Sequence, residues 1–211
     1  MGVGKSTLTQ LLGERLGART FYETVEDHPF LDHYYQDMPK WAFRSQWFFL
    51  TQAFQQHCEI LSSSVPCVQD RTIYEHFHVF ARSLHQQGIM SDREFAVLRE
   101  TYEQLTDEDA QGALQPPDVL VYLRASVPVL QQRIAQRDRS CEQLVEASYL
   151  EHLELHYEHF IDAFATQVDA DRVLIIETDD IDIHVPGQQE SLLGIIEEHV
   201  EKAARTSLAV A

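Results

Sequence analysis

Lysine is almost absent from this chain: among 211 residues only Lys5, Lys40 and Lys202 occur, against 34 Asp and Glu. With 16 Lys and Arg in all, the formal net charge is −18. That excludes a general nucleic-acid surface, because such binding rests on neutralising phosphates with cations. An acidic chain that holds an anionic ligand must gather its few cations at one place. Cysteine is equally scarce. Cys58, Cys67 and Cys141 are scattered, with no CxxC spacing, which excludes a disulfide framework or a thiolate zinc site and predicts a reducing compartment. The 11 histidines fall in no metal-ligand pattern. No apolar run reaches the length of about 18 residues that a membrane helix needs, and no signal peptide is legible. A cytoplasmic protein without membrane association is the expectation. A guanine-reading Asn-Lys-x-Asp tetrad is also missing, which argues against a GTPase-type switch.

What is present begins at the first residues. Gly2-Val3-Gly4-Lys5-Ser6-Thr7 runs straight into the apolar-periodic Leu8, Leu11, Leu12 and Leu16. Gly-x-Gly-Lys-Ser opening a helix is the second half of a phosphate-binding loop. Its glycines let backbone N–H groups curl around a phosphate, and the helix N-terminus adds its positive dipole end. Lys5 is then placed to reach the β- and γ-phosphates, and the Ser6 hydroxyl to ligate Mg²⁺. One of only three lysines stands at this position. The complete pattern has an earlier glycine and a buried strand leading into the loop, both of which would fall upstream of Met1.

Strand and helix signals alternate down the chain. Strands are expected over 18–22, 65–69, 119–123 and 172–177, the last two as the near-continuous apolar runs VLVYL and RVLIIE. Helices are expected over 6–16, 39–61, 72–87, 91–105, 126–137, 149–164 and 191–204, with Gly17 as a C-terminal stop and Ser91 to Glu94 as a capping box. Asp27 to Asp37 reads as a turn followed by an aromatic stretch, and Asp179 to Gln189 as an acidic loop. This pattern predicts one α/β domain over 1–211, a three-layer fold around a parallel sheet with right-handed crossovers, entered through the phosphate loop (P-loop). Its parallel sheet would have five strands, the first of them upstream of Met1.

Ligands of open parallel sheets bind beyond the carboxyl ends of the strands. Glu23, the pair Asp70-Arg71 and the phosphate loop all fall there. A carboxylate near a γ-phosphate can act as general base for an attacking hydroxyl, and an arginine beside it can orient both partners. Arg133, Arg137 and Arg139 form the densest basic cluster, within a polar segment of about 133–146.

Five segments together resemble the deoxynucleoside kinase family, and most of all its bacterial deoxyadenosine/deoxycytidine and deoxyguanosine branch. They are the phosphate loop, Tyr22 to Leu31, Trp41 to Gln46, Gln69 to Glu75 and Arg137 to Ser140. The resemblance implies Glu23 as the base that takes the proton of the sugar 5′-hydroxyl. Arg71 would hold that hydroxyl and the incoming phosphate, with Asp70 close to Mg²⁺. It further implies that Gln46 reads the base edge, Phe80 stacks on the base, and Tyr35 and Glu142 bind the 3′-hydroxyl. Gly2 to Thr7 with Arg133, Arg137 and Arg139 would bind ATP, the arginines as a lid. His76 and Ala53 depart from residues that some relatives carry near the base. The implied reaction is ATP-dependent 5′-phosphorylation of a 2′-deoxynucleoside in nucleotide salvage, deoxyadenosine first, by a homodimer. Two alternatives stand beside it: a nucleoside monophosphate kinase of thymidylate kinase type, and a non-catalytic nucleotide-binding relative.

Overall fold

In the computed structural model the chain is described at residues 2–23, 25, 27–106, 114–137 and 145–210. The first helix, α1 (Lys5–Leu16), starts from Gly4 at φ 95° and ends at Gly17 at φ 60°. Both are left-handed positions that only glycine occupies without strain. Strand β1 (Arg19–Phe21) follows, then α2 (Leu31–Gln36) and the long α3 (Met38–Leu61). The aromatic stretch after the His28-Pro29 turn forms this short helix α2. Asp37 ends α2 and opens α3, where its carboxylate accepts the Lys40 N–H at 3.4 Å and Pro39 stands in the first turn.

Strand β2 (Cys67–Gln69) begins two residues later than the apolar run suggests. Pro66 has no N–H for a ladder, and its carbonyl serves only as acceptor for Arg19 N–H. Beyond it lie α4 (Ile73–Glu75), a π-helical segment His76–Ala81, and α5 (Arg82–Gln86). The expected plain helix over 72–87 therefore carries a widened turn, a form that single-turn insertions take most often at functional sites. The capping box at Ser91 is present and opens α6 (Asp92–Leu105). The second half comprises β3 (Leu120–Arg124), α7 (Val127–Arg137), α8 (Ala147–Gln167), β4 (Val173–Glu177) and α9 (Pro186–Val210). The last helix starts five residues earlier than the apolar pattern, and the acidic loop is correspondingly shorter.

The α/β class holds, with parallel strands throughout, and among the described residues the strands number four, in two pairs. Among the described residues β1 pairs only with β2, and β3 only with β4. No described strand hydrogen-bonds to both pairs. Side chains join them instead: Val68 of β2 and Val121, Leu123 and Ile176 of the other pair share one apolar cluster with Leu8, Leu12 and Leu192. A second cluster, around Leu50, Ile73, Phe77, Leu84 and Leu98, fixes α3 against the helices that follow β2. All four strands therefore point their C-terminal ends toward the loop that opens α1.

The contact between α1 and β1 leaves no room for a methyl group. A Cβ placed on Gly13 would lie 2.2 Å from Thr20 Cγ2. The Thr20 side chain is branched and stiff at χ1, so it cannot swing away. Gly13→Ala is expected to lower the unfolding midpoint, since overpacking costs about 1–3 kcal/mol and each kcal/mol shifts Tm by about 2–4 °C at this size. Adding Thr20→Ser, which removes the blocking methyl, restores most of the loss. An unchanged Tm in the single variant contradicts this packing.

Candidate active site

A cavity of about 1190 Å³ opens at the carboxyl ends of the strands. Its floor is the loop before α1. Gly2 (φ 70°) and Gly4 (φ 95°) hold the left-handed backbone that turns successive N–H groups inward, and a side chain at Gly2 would press on Ile134 and the Leu130 carbonyl. Ser6 Oγ donates to Asp70 Oδ2 at 2.5 Å, and Lys5 Nζ lies 3.9 Å from Asp70 Oδ1. Asp70 is 4% exposed, and its Oδ1 has no hydrogen-bond partner. Burial lowers the Lys5 pKa, with repulsion from Arg71 acting the same way and Asp70, Glu23 and Glu75 opposing it. The side chain of Lys5 keeps some exposure to the cavity.

Asp70 and Arg71 arrive there because β2 ends at Gln69 and the chain turns sharply. Asp70 N–H bonds the Phe21 carbonyl at 2.8 Å, tying the turn to β1. Arg71 then takes φ 71°. For a non-glycine residue such a conformation costs on the order of 1–3 kcal/mol and persists only where surroundings enforce it. From this position the Arg71 guanidinium reaches Glu23 Oε1 at 2.5 Å and lies over the Phe80 ring, 4.2 Å from its centroid. Burial alone would favour the neutral form of Arg71. Glu23, Tyr157, Glu75 and Asp70 outweigh it and raise its pKa, so the charge is fixed.

The far end of the cavity is aromatic and uncharged. Tyr35, Gln46, Phe49, His76 and Phe80 line it. Gln46 is 4% exposed and its Oε1 is unpaired, an acceptor held ready in a buried wall. His76 stacks on Phe49 at 5.2 Å between centroids, with planes 8° apart. Burial first, and Arg71 second, push its pKa well below the ordinary histidine value, so the ring is neutral. His28 bonds Ser45 and packs between Phe48 and Phe49, bracing this wall from behind.

The structure therefore brings Gly2 to Thr7, Glu23, Asp70, Arg71, Tyr35, Gln46, His76, Phe80, Arg133 and Arg137 to one cavity. Arg133 is committed there: its guanidinium donates to the Thr178 and Ile181 carbonyls at 2.5 and 3.1 Å, tying α7 to the loop after β4. Arg139 and Glu142 lie outside the described residues, as does most of the lid segment. Three participants escaped the sequence reading. Tyr149 reaches the cavity from α8 and meets Tyr34 across a 3.4 Å hydroxyl contact. Glu75 and Tyr157 stand behind Arg71. Tyr149 and Tyr157 look like ordinary helix residues that no motif marks, and Glu75, though it ends the Gln69 to Glu75 segment, is given no role by it; only the fold brings the three in.

The deoxynucleoside kinase family model matches residues 1–201. The chain belongs to the deoxynucleoside kinase family. It is 36% identical over 184 residues to the deoxyadenosine/deoxycytidine kinase of Bacillus subtilis, covering 87% of this chain and 81% of that protein. It is 31% identical over 162 residues to the deoxyguanosine kinase of the same organism, covering 75% and 73%. Among solved structures, the deoxyadenosine kinase of M. mycoides with bound dCTP superposes with a TM-score of 0.77 at 26% identity, over 94% of this chain and 95% of that one. The same enzyme with bound dATP also gives 0.77. As in other deoxynucleoside kinases, the activity is phosphorylation of deoxynucleosides in nucleotide salvage.

The neutral histidines of this wall make stability depend on pH. Unfolded, a histidine titrates near 6.5, whereas folded His76 and His28 titrate lower because burial disfavours the charged form. Above pH 6.5 both states are neutral and stability is complete. As pH falls below 6.5, the unfolded chain takes up protons first and stability drops. The unfolding midpoint is therefore expected to fall between pH 6.5 and 5.5, and less steeply in His76→Gln than in the wild type. Equal slopes in the two proteins contradict a buried neutral His76.

Proposed function

We propose that this chain transfers the γ-phosphoryl group of ATP, together with Mg²⁺, to the 5′-hydroxyl of a 2′-deoxynucleoside, with deoxyadenosine preferred. The observation that carries the reading is the Glu23–Arg71 pair, which stands in one cavity between the phosphate loop and the uncharged wall. A hydroxyl entering between them meets a carboxylate that can take its proton and a guanidinium that can hold its oxygen. As the new O–P bond forms, the bond from the γ-phosphorus to the ADP oxygen breaks. The displaced charge goes to ADP and the proton goes to Glu23. Lys5 and the loop N–H groups steady the β- and γ-phosphates, Arg137 and Arg139 of the lid segment close over them, and Arg133 anchors the base of that segment on the loop after β4.

Mg²⁺ fits the residues present. Ser6 and Asp70 offer adjacent oxygens, and the unpaired, buried Asp70 Oδ1 lacks a partner. Hard cations of this kind take oxygen ligands. Among the described residues no cluster of three or more His, Cys, Asp or Glu could hold a metal. Bound there, the ion would neutralise phosphate charge, its remaining ligands coming from ATP and water.

Gln46, His76 and Phe80 read and sandwich the base, while Tyr35 and Glu142 hold the 3′-hydroxyl. Arg71, the cation nearest this wall in its effect on His76, is already engaged by Glu23. A monophosphate acceptor would need further cations there, so a thymidylate-kinase-type activity is disfavoured. The homodimer is proposed on family resemblance. The relatives named for deoxyadenosine and deoxycytidine support a purine preference with deoxycytidine sharing the site.

ADP release from MgATP, offered each of the four 2′-deoxynucleosides and separately their monophosphates, tests this reading. Turnover is expected with deoxynucleosides, deoxyadenosine first, and turnover with monophosphates alone would overturn it. Glu23→Gln is expected to cut kcat by about 10²-fold or more, as general bases contribute about 10²–10⁴. That change also weakens the pairing of buried Arg71, so turnover is compared below the variant's lowered Tm.

A further inference from the structure

Glu75 is not among the residues that line the cavity, yet it is wired to the turn that aims Arg71. It is the third and last residue of α4, from where its Oε2 reaches back to accept the Thr72 N–H at 2.8 Å and the Thr72 hydroxyl at 3.4 Å. These are the contacts of a capping box, made one residue after the left-handed Arg71. The second carboxylate oxygen is occupied from a distant element: Tyr157 of α8 donates its hydroxyl to Glu75 Oε1 at 3.3 Å. Tyr157 is itself held by stacking on Tyr122 of β3, 5.6 Å between centroids and 14° between planes. Tyr122 in turn donates to Glu158. A chain of contacts thus runs from β3 and α8 to the backbone on one side of Arg71. Phe80 supports the guanidinium on the other side.

We propose that Glu75 is a positioning residue of the reaction: braced by Tyr157, it fixes the Thr72 backbone so that Arg71 stays left-handed with its guanidinium on Glu23. The inference rests on the catalytic role given to Arg71 above. A carboxylate bonded to the N–H after a left-handed residue opposes relaxation of that residue to ordinary φ, and relaxation would swing the side chain off its partner. A small misplacement of a catalytic group lowers turnover without removing the binding contacts. The loss therefore falls on kcat.

The test is steady-state kinetics on the full chain with deoxyadenosine and MgATP. Glu75→Ala is expected to lower kcat by about tenfold to a hundredfold while both KM values move less than about threefold. Glu75→Gln, whose amide oxygen can still accept the Thr72 N–H, recovers most of that loss. Tyr157→Phe, which keeps the ring stack, gives a smaller fall in kcat and serves as the readout if Glu75→Ala does not fold. In an Arg71→Ala background, Glu75→Ala costs no further turnover, because it acts through Arg71. Wild-type kcat in Glu75→Ala, or the same further loss in the Arg71→Ala background, overturns the inference and leaves the Arg71 assignment standing. A fall in kcat for Tyr157→Phe as large as that for Arg71→Ala, or none at all, also counts against it. Wild-type turnover in Arg71→Ala itself would remove both.

Discussion

The buried pair between Arg71 and Glu23 is the constraint on which the rest of the site depends. Two charges taken from water need each other, and removing one partner of such a buried pair costs about 3–5 kcal/mol. Here the Arg71 side chain is 6% exposed and Glu23 15%, so the pair lies at the buried end of that range of environments. The backbone of Arg71 is in a conformation that a non-glycine residue avoids. Each of these costs is met by a specific neighbour: the Phe21 carbonyl before the turn, the capping box after it, and the Phe80 ring under the guanidinium. The arrangement holds one carboxylate and one cation in the same cavity as the phosphate loop. Pre-positioning of this kind is what phosphoryl transfer asks of a protein, since there is little covalent chemistry for it to perform.

Charge economy gives the same picture from another direction. In a chain of net charge −18, Lys5, Arg71, Arg133 and Arg137 all line one cavity. Lys5 and Arg71 face acidic side chains, which keeps their charges compatible with burial. Asp70 is shared between Ser6 and Lys5, one oxygen accepting from Ser6 and the other facing Lys5. The acceptor end, in contrast, relies on rings and amides. The division explains how one cavity can hold a highly charged donor and a neutral acceptor side by side.

Much of this was legible in the sequence, and the reason differs by element. The phosphate loop and the Asp70-Arg71 turn are local: neighbouring residues do the work, so a short motif suffices. The strands and long helices were legible from periodicity, with ends displaced where a proline or a short polar run intervened, as at Pro66 and Pro186. The π-helical turn at His76–Ala81 left no trace, because its residues satisfy a plain helical pattern equally well. Alternation announces parallel strands but does not write their pairing: among the described residues four strands form two separate pairs. Tyr149, Glu75 and Tyr157 were missed for one reason. Their importance comes from contacts 82 or more positions away or through the backbone of a neighbour, and a helical tyrosine or glutamate carries no mark of either; the Tyr34–Tyr149 contact spans 115 positions and that of Glu75 with Tyr157 spans 82.

The most direct measurement is a crystal structure of this chain with deoxyadenosine and a non-hydrolysable MgATP analogue bound. The account predicts the sugar 5′-oxygen between Glu23 and Arg71, within hydrogen-bond reach of the carboxylate at about 2.6–3.2 Å. It also predicts the γ-phosphate analogue over Lys5 and Ser6, in line with that oxygen. A 5′-oxygen bonded elsewhere, with the Glu23–Arg71 pair closed and untouched by ligand, would contradict it.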